Sequence, residues 1–275
     1  MSRPNQHLSV QSLSAHNLSV LRQRIAALDS APLAKASALF TLGVPRVDQR
    51  LRGGLARGAL HEIFAAQEGD ASAATCFALM IAMRGRNALK PILWVREDRV
   101  ERRTGQLYGQ GLIELGVDPD LFILVNAPDE LAALRAGADS VKCGAVGAVV
   151  IEPYGKARAL DLTATRRLAL AAAQSGVLTL LVRVGAEPVA SAAHTRWQVA
   201  AAASVPLDGN APGMGALDVS LLRHRGGIAN FNTHLEWNRD HHICVEQGGT
   251  GGAEQALSGY RPALARFGED TAKAA

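Results

Sequence analysis

Short continuous apolar runs alternate with longer amphipathic stretches through the middle of this chain. The runs are 91–95 (PILWV), 121–125 (LFILV), 146–151 (VGAVVI) and 177–184 (VLTLLVRV). Their length and branched residues predict strands, and their lack of polar alternation predicts a parallel sheet buried on both faces by helices. Helical patterning falls between them, near 105–115, 128–142 and 159–175, with a further helix from about Ser72 to Arg84. Pro128, followed by Asp129 and Glu130, reads as a helix start, with proline in the first turn and carboxylates at the positive end of the helix dipole. Beyond residue 190 the period changes to two, at Trp197, Val199 and Ala201 and again at Val219, Leu221 and Arg223, followed by THLEWN and HHICVE. That alternation predicts antiparallel strands with one covered face. The expected fold class is α/β: three layers, a mostly parallel central sheet flanked by helices, and antiparallel edge strands toward the C-terminus.

The ends of the chain follow other patterns. Residues 1–16 are polar and read as disordered. Leu18, Leu21, Ile25 and Leu28 then recur at steps of three and four, which predicts a short amphipathic helix that packs on its own core or on a partner. Segment 40–64 (FTLGVPRVDQRLRGGLARGALHEIF) is punctuated by Gly53-Gly54 and Gly58, the mark of a turn before a strand. Residues 247–259 are glycine-rich and begin a tail. These changes divide the chain into an N-terminal extension (1–38), a central domain (39–246) and a C-terminal tail (247–275).

Composition narrows the picture. The 275 residues are 48% hydrophobic and 20% charged, with 4% aromatics, suited to one full α/β domain with short extensions. Cys76, Cys143 and Cys244 are far apart, so neither a disulfide framework nor a metal knuckle is indicated, and a cytoplasmic location is expected. The N-terminus lacks the apolar core of a secretory signal, and no stretch approaches the ~18 apolar residues of a membrane span. A formal charge of +4 allows only weak attraction to nucleic acid.

Residues 65–72, Ala-Ala-Gln-Glu-Gly-Asp-Ala-Ser, fall between the strand ending in Glu62-Ile63-Phe64 and the helix from Ser72. A phosphate-binding loop at such a place reads G-x-x-x-x-G-K-[ST]. Here Ala65 and Asp70 stand at the glycine positions and Ala71 at the lysine position, while Ser72 keeps its type. A lysine ~5 Å from a phosphate charge, at an effective dielectric near 20, contributes roughly 3 kcal/mol. Glu68 and Asp70 would add repulsion if they faced the site. The expectation is no ATP hydrolysis, no tight nucleotide binding and no cofactor.

The lead-in Gly43, Val47-Asp48, Leu51, Gly53-Gly54-Leu55, Gly58 and Glu62-Ile63-Phe64 resembles the RecA recombinase superfamily, and the similarity runs more thinly to about residue 245. Within it, the lost loop, the short N-terminal helix and the length resemble the ImuA family of damage-inducible mutagenesis proteins. The resemblance implies a RecA-like core and a non-catalytic accessory role in SOS-induced translesion synthesis. The implied partners are an ImuB-like protein and an error-prone DNA polymerase, with RecA a further candidate, and DNA contact weak or indirect. It also implies that Glu97 stands where the family has its water-activating glutamate, and Glu152 where it has its magnesium-holding acid. Val184 or a neighbour replaces the γ-phosphate-sensing glutamine. Arg223 and Arg225 match basic residues that reach a neighbouring subunit's nucleotide. The family's two DNA-contacting loops correspond to 153–160 and 185–196, both shortened. Two other readings of the same core are a SulA-like cell-division inhibitor and a RecA- or KaiC-like ATPase with an unusual loop.

Several other groups have plainer readings. Without the lysine, Glu97 and Glu152 read as polar strand-end residues kept with the fold. Arg223 and Arg225 are read equally as a contact for partner or DNA phosphates and as a solvated face. His241, His242 and Cys244 do not make a metal site, since adjacent strand residues point to opposite faces. Arg96, Arg99, Arg102 and Arg103 read as a solvated helix face. No G-x-S-x-G elbow surrounds Ser72 or Ser191, so a hydrolase using them with His194 is set aside.

Overall fold

A computed structural model of the chain describes residues 38–211, 213–238 and 243–246. The expectations for Leu18, Leu21, Ile25 and Leu28, for His241 and His242, and for the tail from 247 lie outside these residues.

The chain enters through a two-stranded ribbon, β1 (Leu39–Phe40) paired with β2 (Leu55–Ala56), around the short helix α1 (Pro45–Arg50). Asp48 holds this turn closed, its carboxylate accepting from Leu42 N at 2.7 Å and Gly43 N at 3.0 Å. Gly54 sits at φ 111°, and a Cβ there would lie 2.0 Å from the Phe40 carbonyl oxygen, so no other residue fits without moving the ribbon.

Next come β3 (Leu60–Ala65), α2 (Ala71–Gly85), β4 (Ile92–Glu97), α3 (Asp98–Thr104), α4 (Gly109–Glu114), β5 (Phe122–Ala127) and α5 (Glu130–Lys142). They are followed by β6 (Ala148–Glu152), α6 (Leu162–Ser175), β7 (Leu178–Arg183), β8 (Thr195–Ala202), β9 (Ala216–His224), β10 (Phe231–Asn238) and β11 (Ile243–Glu246). The strands from β3 onward form one nine-stranded sheet in the order β11-β10-β9-β8-β3-β7-β6-β4-β5. Strands β3 to β8 run parallel; β9, β10 and β11 are antiparallel to their neighbours. The architecture is the α/β arrangement expected of a RecA-like core: a mostly parallel sheet, flanking helices, and antiparallel strands at the C-terminal end.

Side-chain periodicity follows coverage. Every residue of β3, β6 and β7 is buried, because α2 packs on one face and α5 and α6 on the other. In β8 burial alternates from Thr195 to Ala200, with Trp197 and Val199 turned toward the α2 side, as for a strand covered on one face only. Helix α2 buries residues nearly all round, including Phe77, Leu79 and Ile81. Helices α5 and α6 are amphipathic and start at Asp129 and Asp161, whose carboxylates accept from Ala132 N at 2.8 Å and Ala164 N at 2.7 Å. The first is a correction: Asp129 is the cap, so Pro128 precedes the helix rather than filling its first turn. The helix expected near 105–115 is α4, confined to Gly109–Glu114, and a separate helix, α3, precedes it, ending before Gly105, which adopts φ 84°.

Candidate functional site at the strand ends

Because β3, β4, β6 and β7 are parallel, their carboxyl ends line one edge of the sheet, where open α/β folds bind ligands. Segment 66–70, the start of α3, and the residues after Glu152 and Arg183 all meet there.

At the loop, Ala65 closes β3 and Ala71 opens α2, and both are buried in the main core. The lysine position therefore carries a methyl group packed inward, while Ser72 is exposed. Asp70 is committed to the fold. Its Oδ2 accepts from Gln67 N at 3.1 Å and its Oδ1 from Ala201 N at 3.0 Å, tying the turn to β8.

Glu68 faces the crevice, but as part of a bonded cluster. Its Oε1 accepts from the Tyr154 hydroxyl at 2.5 Å and from Arg103 Nε at 3.1 Å. Arg103 Nε also donates to the Tyr154 oxygen at 3.2 Å. The Arg99 and Arg103 guanidinium carbons lie 5.2 and 5.9 Å from the Tyr154 ring centroid. The tyrosine hydrogen bond, aided by the Arg103 charge, pulls the Glu68 carboxyl below its usual range, and the same contacts raise Arg103. Tyr154 is anchored in turn by a bridge to Val184, with Gly155 N donating to the Val184 carbonyl at 2.8 Å.

Glu97 and Glu152, the two carboxylates matched to catalytic positions, are buried and engaged. Glu97 Oε2 accepts from Tyr154 N at 2.9 Å, and its Oε1 lies 3.8 Å from Arg99 Nε. Glu152 has no exposed surface; its Oε2 accepts from Trp94 Nε1 at 2.9 Å and Arg96 Nε at 3.0 Å, and Thr75 Oγ1 approaches Oε1 at 3.5 Å. Burial pushes the Glu152 carboxyl up, and Arg96 draws it back in part. Arg96 corrects the reading of its segment: it is the penultimate residue of β4, 4% exposed, and also donates to the Gly105 carbonyl and Thr104 Oγ1. Arg99, Arg102 and Arg103 do lie exposed on α3.

A second buried charge cluster lies on the opposite face. Arg196 Nε donates to Glu62 Oε2 at 2.9 Å, and Arg196 and Arg183 stack on Phe64 at 5.3 and 5.7 Å. Arg183 donates to the Gly155 and Lys156 carbonyls, so the chain after β6 is pinned from below as well.

Arg223 and Arg225 are not brought to this crevice. Arg223 lies near the end of β9 and Arg225 just past it, beside the start of β8, at the other edge of the sheet. Arg223 Nη1 donates to the Ser191 carbonyl at 3.0 Å, and Arg225 N to the His194 carbonyl at 2.8 Å. Among the described residues no group of three His, Cys, Asp or Glu side chains is placed to hold a metal ion, and no helix is long and apolar enough to cross a membrane.

Of the sequence candidates, Ala65, Asp70, Ala71, Ser72, Glu97 and Glu152 thus share one edge, and Glu68 joins them. Tyr154 and Arg103 are the residues that sequence reasoning missed as site residues. Their one signal is position: Tyr154 stands two residues after the strand-ending Glu152. Chemically, the crevice offers paired charges: Glu68 with Arg103, Glu97 with Arg99 and Glu152 with Arg96. No protein-family model matches the chain, and no curated protein matches its sequence.

Proposed function

We propose that this chain is a non-catalytic, RecA-like accessory protein of SOS-induced translesion synthesis and mutagenesis, working in the cytoplasm through an ImuB-like protein and an error-prone DNA polymerase. One observation carries the non-catalytic part. The loop has neither glycine pair nor lysine, and the Glu68–Tyr154–Arg103 cluster engages the crevice beside it. A triphosphate would have to displace a carboxylate from its cation and its hydroxyl donor, with no lysine to offset the loss. The mutagenesis assignment rests on the sequence resemblance to the ImuA family.

Exposed apolar side chains support a role through protein partners. Strand β5 is the outermost strand at its end of the described sheet, and Ile123 and Leu124 on it are each 43% exposed. An apolar edge strand without charges is a ready template for association. The helical spacing of Leu18, Leu21, Ile25 and Leu28 offers a second surface.

Two measurements test the proposal. Nucleotide titration with magnesium should give no micromolar binding and no phosphate release; either one would overturn the non-catalytic reading. Deleting the gene should lower the damage-induced mutation frequency, and L21D/I25D should weaken capture of the ImuB-like partner. An unchanged mutation frequency, or filamentous cells on overexpression, would favour a cell-division inhibitor instead.

A further inference from the structure

The amino ends of the parallel strands carry a cationic face, at the opposite end of the sheet from the crevice. Arg57 stands before β3 and Lys90 before β4, and β7 and β6 lie between those two strands in the sheet. Three interstrand spacings make this line of strand ends about 14 Å long. Two adjoining depressions of about 530 and 510 Å³ open beside it, and they share Arg57, Arg86 and Ala88. Lys90 lines the first and Arg84 the second, and no acidic side chain among the described residues lines either. Arg84 is exposed, and Arg57, Arg86 and Lys90 are half-buried. Carbonyls hold three of these side chains in place. Arg57 Nη1 donates to Gly85 and, at 3.2 Å, to Arg86; Arg86 Nη1 donates to Ala88 at 2.6 Å and Lys90 at 2.9 Å; Lys90 Nζ donates to Gly144. None of Arg57, Arg84, Arg86 and Lys90 joins a carboxylate among the described residues.

Carbonyls satisfy donors without cancelling charge. The carboxyl ends of α2 and α6 border the face, and at about half a negative charge each they leave roughly three of the four positive charges uncompensated. Arginine predominates, and its planar fork suits phosphate oxygens. A single phosphate would engage only part of two adjoining depressions. A duplex strand advances 3.4 Å per phosphate and so sets about four phosphates along the 14 Å line. Small residues, Gly85, Ala88, Gly147 and Gly176, make up much of the larger depression, and they give the apolar side chains of a peptide little to pack on. Phe40 is 5% exposed and lies under the Arg57 guanidinium at 5.4 Å, so it is no platform for stacking unpaired bases. We propose that this face binds the phosphodiester backbone of a nucleic-acid duplex, independent of sequence, through Arg57, Arg84, Arg86 and Lys90. The segments matched to the family's DNA-contacting loops follow β6 and β7, at the other end of the sheet. The contact goes beyond the accessory role and does not require it.

Fluorescence anisotropy of a labelled DNA duplex, titrated with the full chain at several salt concentrations, tests the face. The dissociation constant at physiological salt should be on the order of 10⁻⁴ to 10⁻⁶ M and equal for unrelated sequences. Log affinity against log salt should slope at about −3, a loss of roughly sixtyfold between about 50 and 200 mM. R84Q and K90Q should each make that slope shallower by about 0.9. R102Q, at an exposed position of α3, should leave it unchanged. Should K90Q fail to fold through loss of its tie to the Gly144 carbonyl, R84Q decides alone. Poly-glutamate carries its charges about 3.3 Å apart when extended, against about 1.7 Å of duplex axis, and should compete less well than the duplex at equal charge. No binding at the lowest salt, or a slope that R84Q leaves unchanged, would overturn the proposal. Equal competition by poly-glutamate would make the face a docking site for an acidic protein, equal competition by pyrophosphate a small-anion site, and either result also overturns it. Partner capture and induced mutation frequency test the accessory role separately.

Discussion

Replacing Glu152 by glutamine separates a structural strut from a metal or nucleotide ligand. The side chain has no exposed surface and receives Trp94 Nε1 at 2.9 Å and Arg96 Nε at 3.0 Å. In E152Q the shape persists but the charge does not, so Arg96 is left cationic in a site where it is 4% exposed. Two unit charges about 4 Å apart at an effective dielectric of 20 interact by about 4 kcal/mol. Removing one partner of a buried pair costs about 3–5 kcal/mol. Arg96 keeps the Gly105 carbonyl and Thr104 Oγ1, which places the expected loss at the low end, about 3 kcal/mol. For a domain of this size that lowers Tm by about 6–12 °C.

The assay is urea unfolding followed by tryptophan fluorescence, alongside a thermal scan. R96M should lose at least as much, because it strands the carboxylate. The double variant R96M/E152M should lose less than the two singles added together, since neither charge is then orphaned. A ligand held out toward a metal would behave otherwise: E152Q would be neutral or stabilising. An E152Q midpoint within about 0.5 kcal/mol of the parent, the range of ordinary surface changes, refutes the strut.

Two further predictions follow from the same buried groups. A71K, which restores the lysine of a phosphate loop, should lower stability by about 2 kcal/mol by overpacking the core around Ala71, and should bring no nucleotide binding; micromolar ATP affinity in A71K would refute the packed geometry. Acid should unfold the protein through its histidines. Burial, with the His194 charge next, pushes His61 down from 6.5 to about 3, and burial, with His224 next, pushes His194 down to about 4. A base with a depressed folded pKa contributes its full stability above the unfolded value of 6.5, and loses it as pH falls below that value because the unfolded chain takes up the proton first. At pH 5 the loss is about 2 kcal/mol for each imidazole, and H194Q should reduce the slope by about one proton. Imidazole resonances of the native state titrating near 6.5 would refute this.

The sheet was legible because burial on two faces leaves an unmistakable trace. Ala148–Glu152 and Leu178–Arg183 are buried throughout, and their sequences are nearly continuous apolar runs; Leu60–Ala65 is buried throughout too, although it carries His61 and Glu62, which find partners inside. The change to alternation at Trp197 and Val199 likewise reported the loss of a covering helix. Helix α1, with six residues, is too short to show a period, so the ribbon around it was read only as a turn before a strand. Arg96 was misplaced for a different reason. It stands among arginines that do face solvent, and its inward turn is set by Glu152, 56 residues away. A long-range partner of this kind leaves no local pattern, and the same holds for Tyr154, whose hydroxyl meets Glu68 across 86 residues.

The charges at the strand ends set what a single substitution at the crevice can do. A site built for a triphosphate must hold cations and N–H groups in excess, stabilised only when the ligand arrives. Here four acids near this edge have found a cation or a donor from the chain itself: Glu62 with Arg196, Glu68 with Arg103 and Tyr154, Glu97 with Tyr154 N, Glu152 with Arg96 and Trp94. The arginines Arg96, Arg103 and Arg196 thus answer carboxylates rather than phosphates. Any ligand entering would first break a charge-assisted bond, and with Glu97, Glu152 and Arg96 it would do so in the interior, where an abandoned partner costs most. The edge therefore departs from a phosphate site at more than Ala65, Asp70 and Ala71: its charged side chains are held by one another as internal ties.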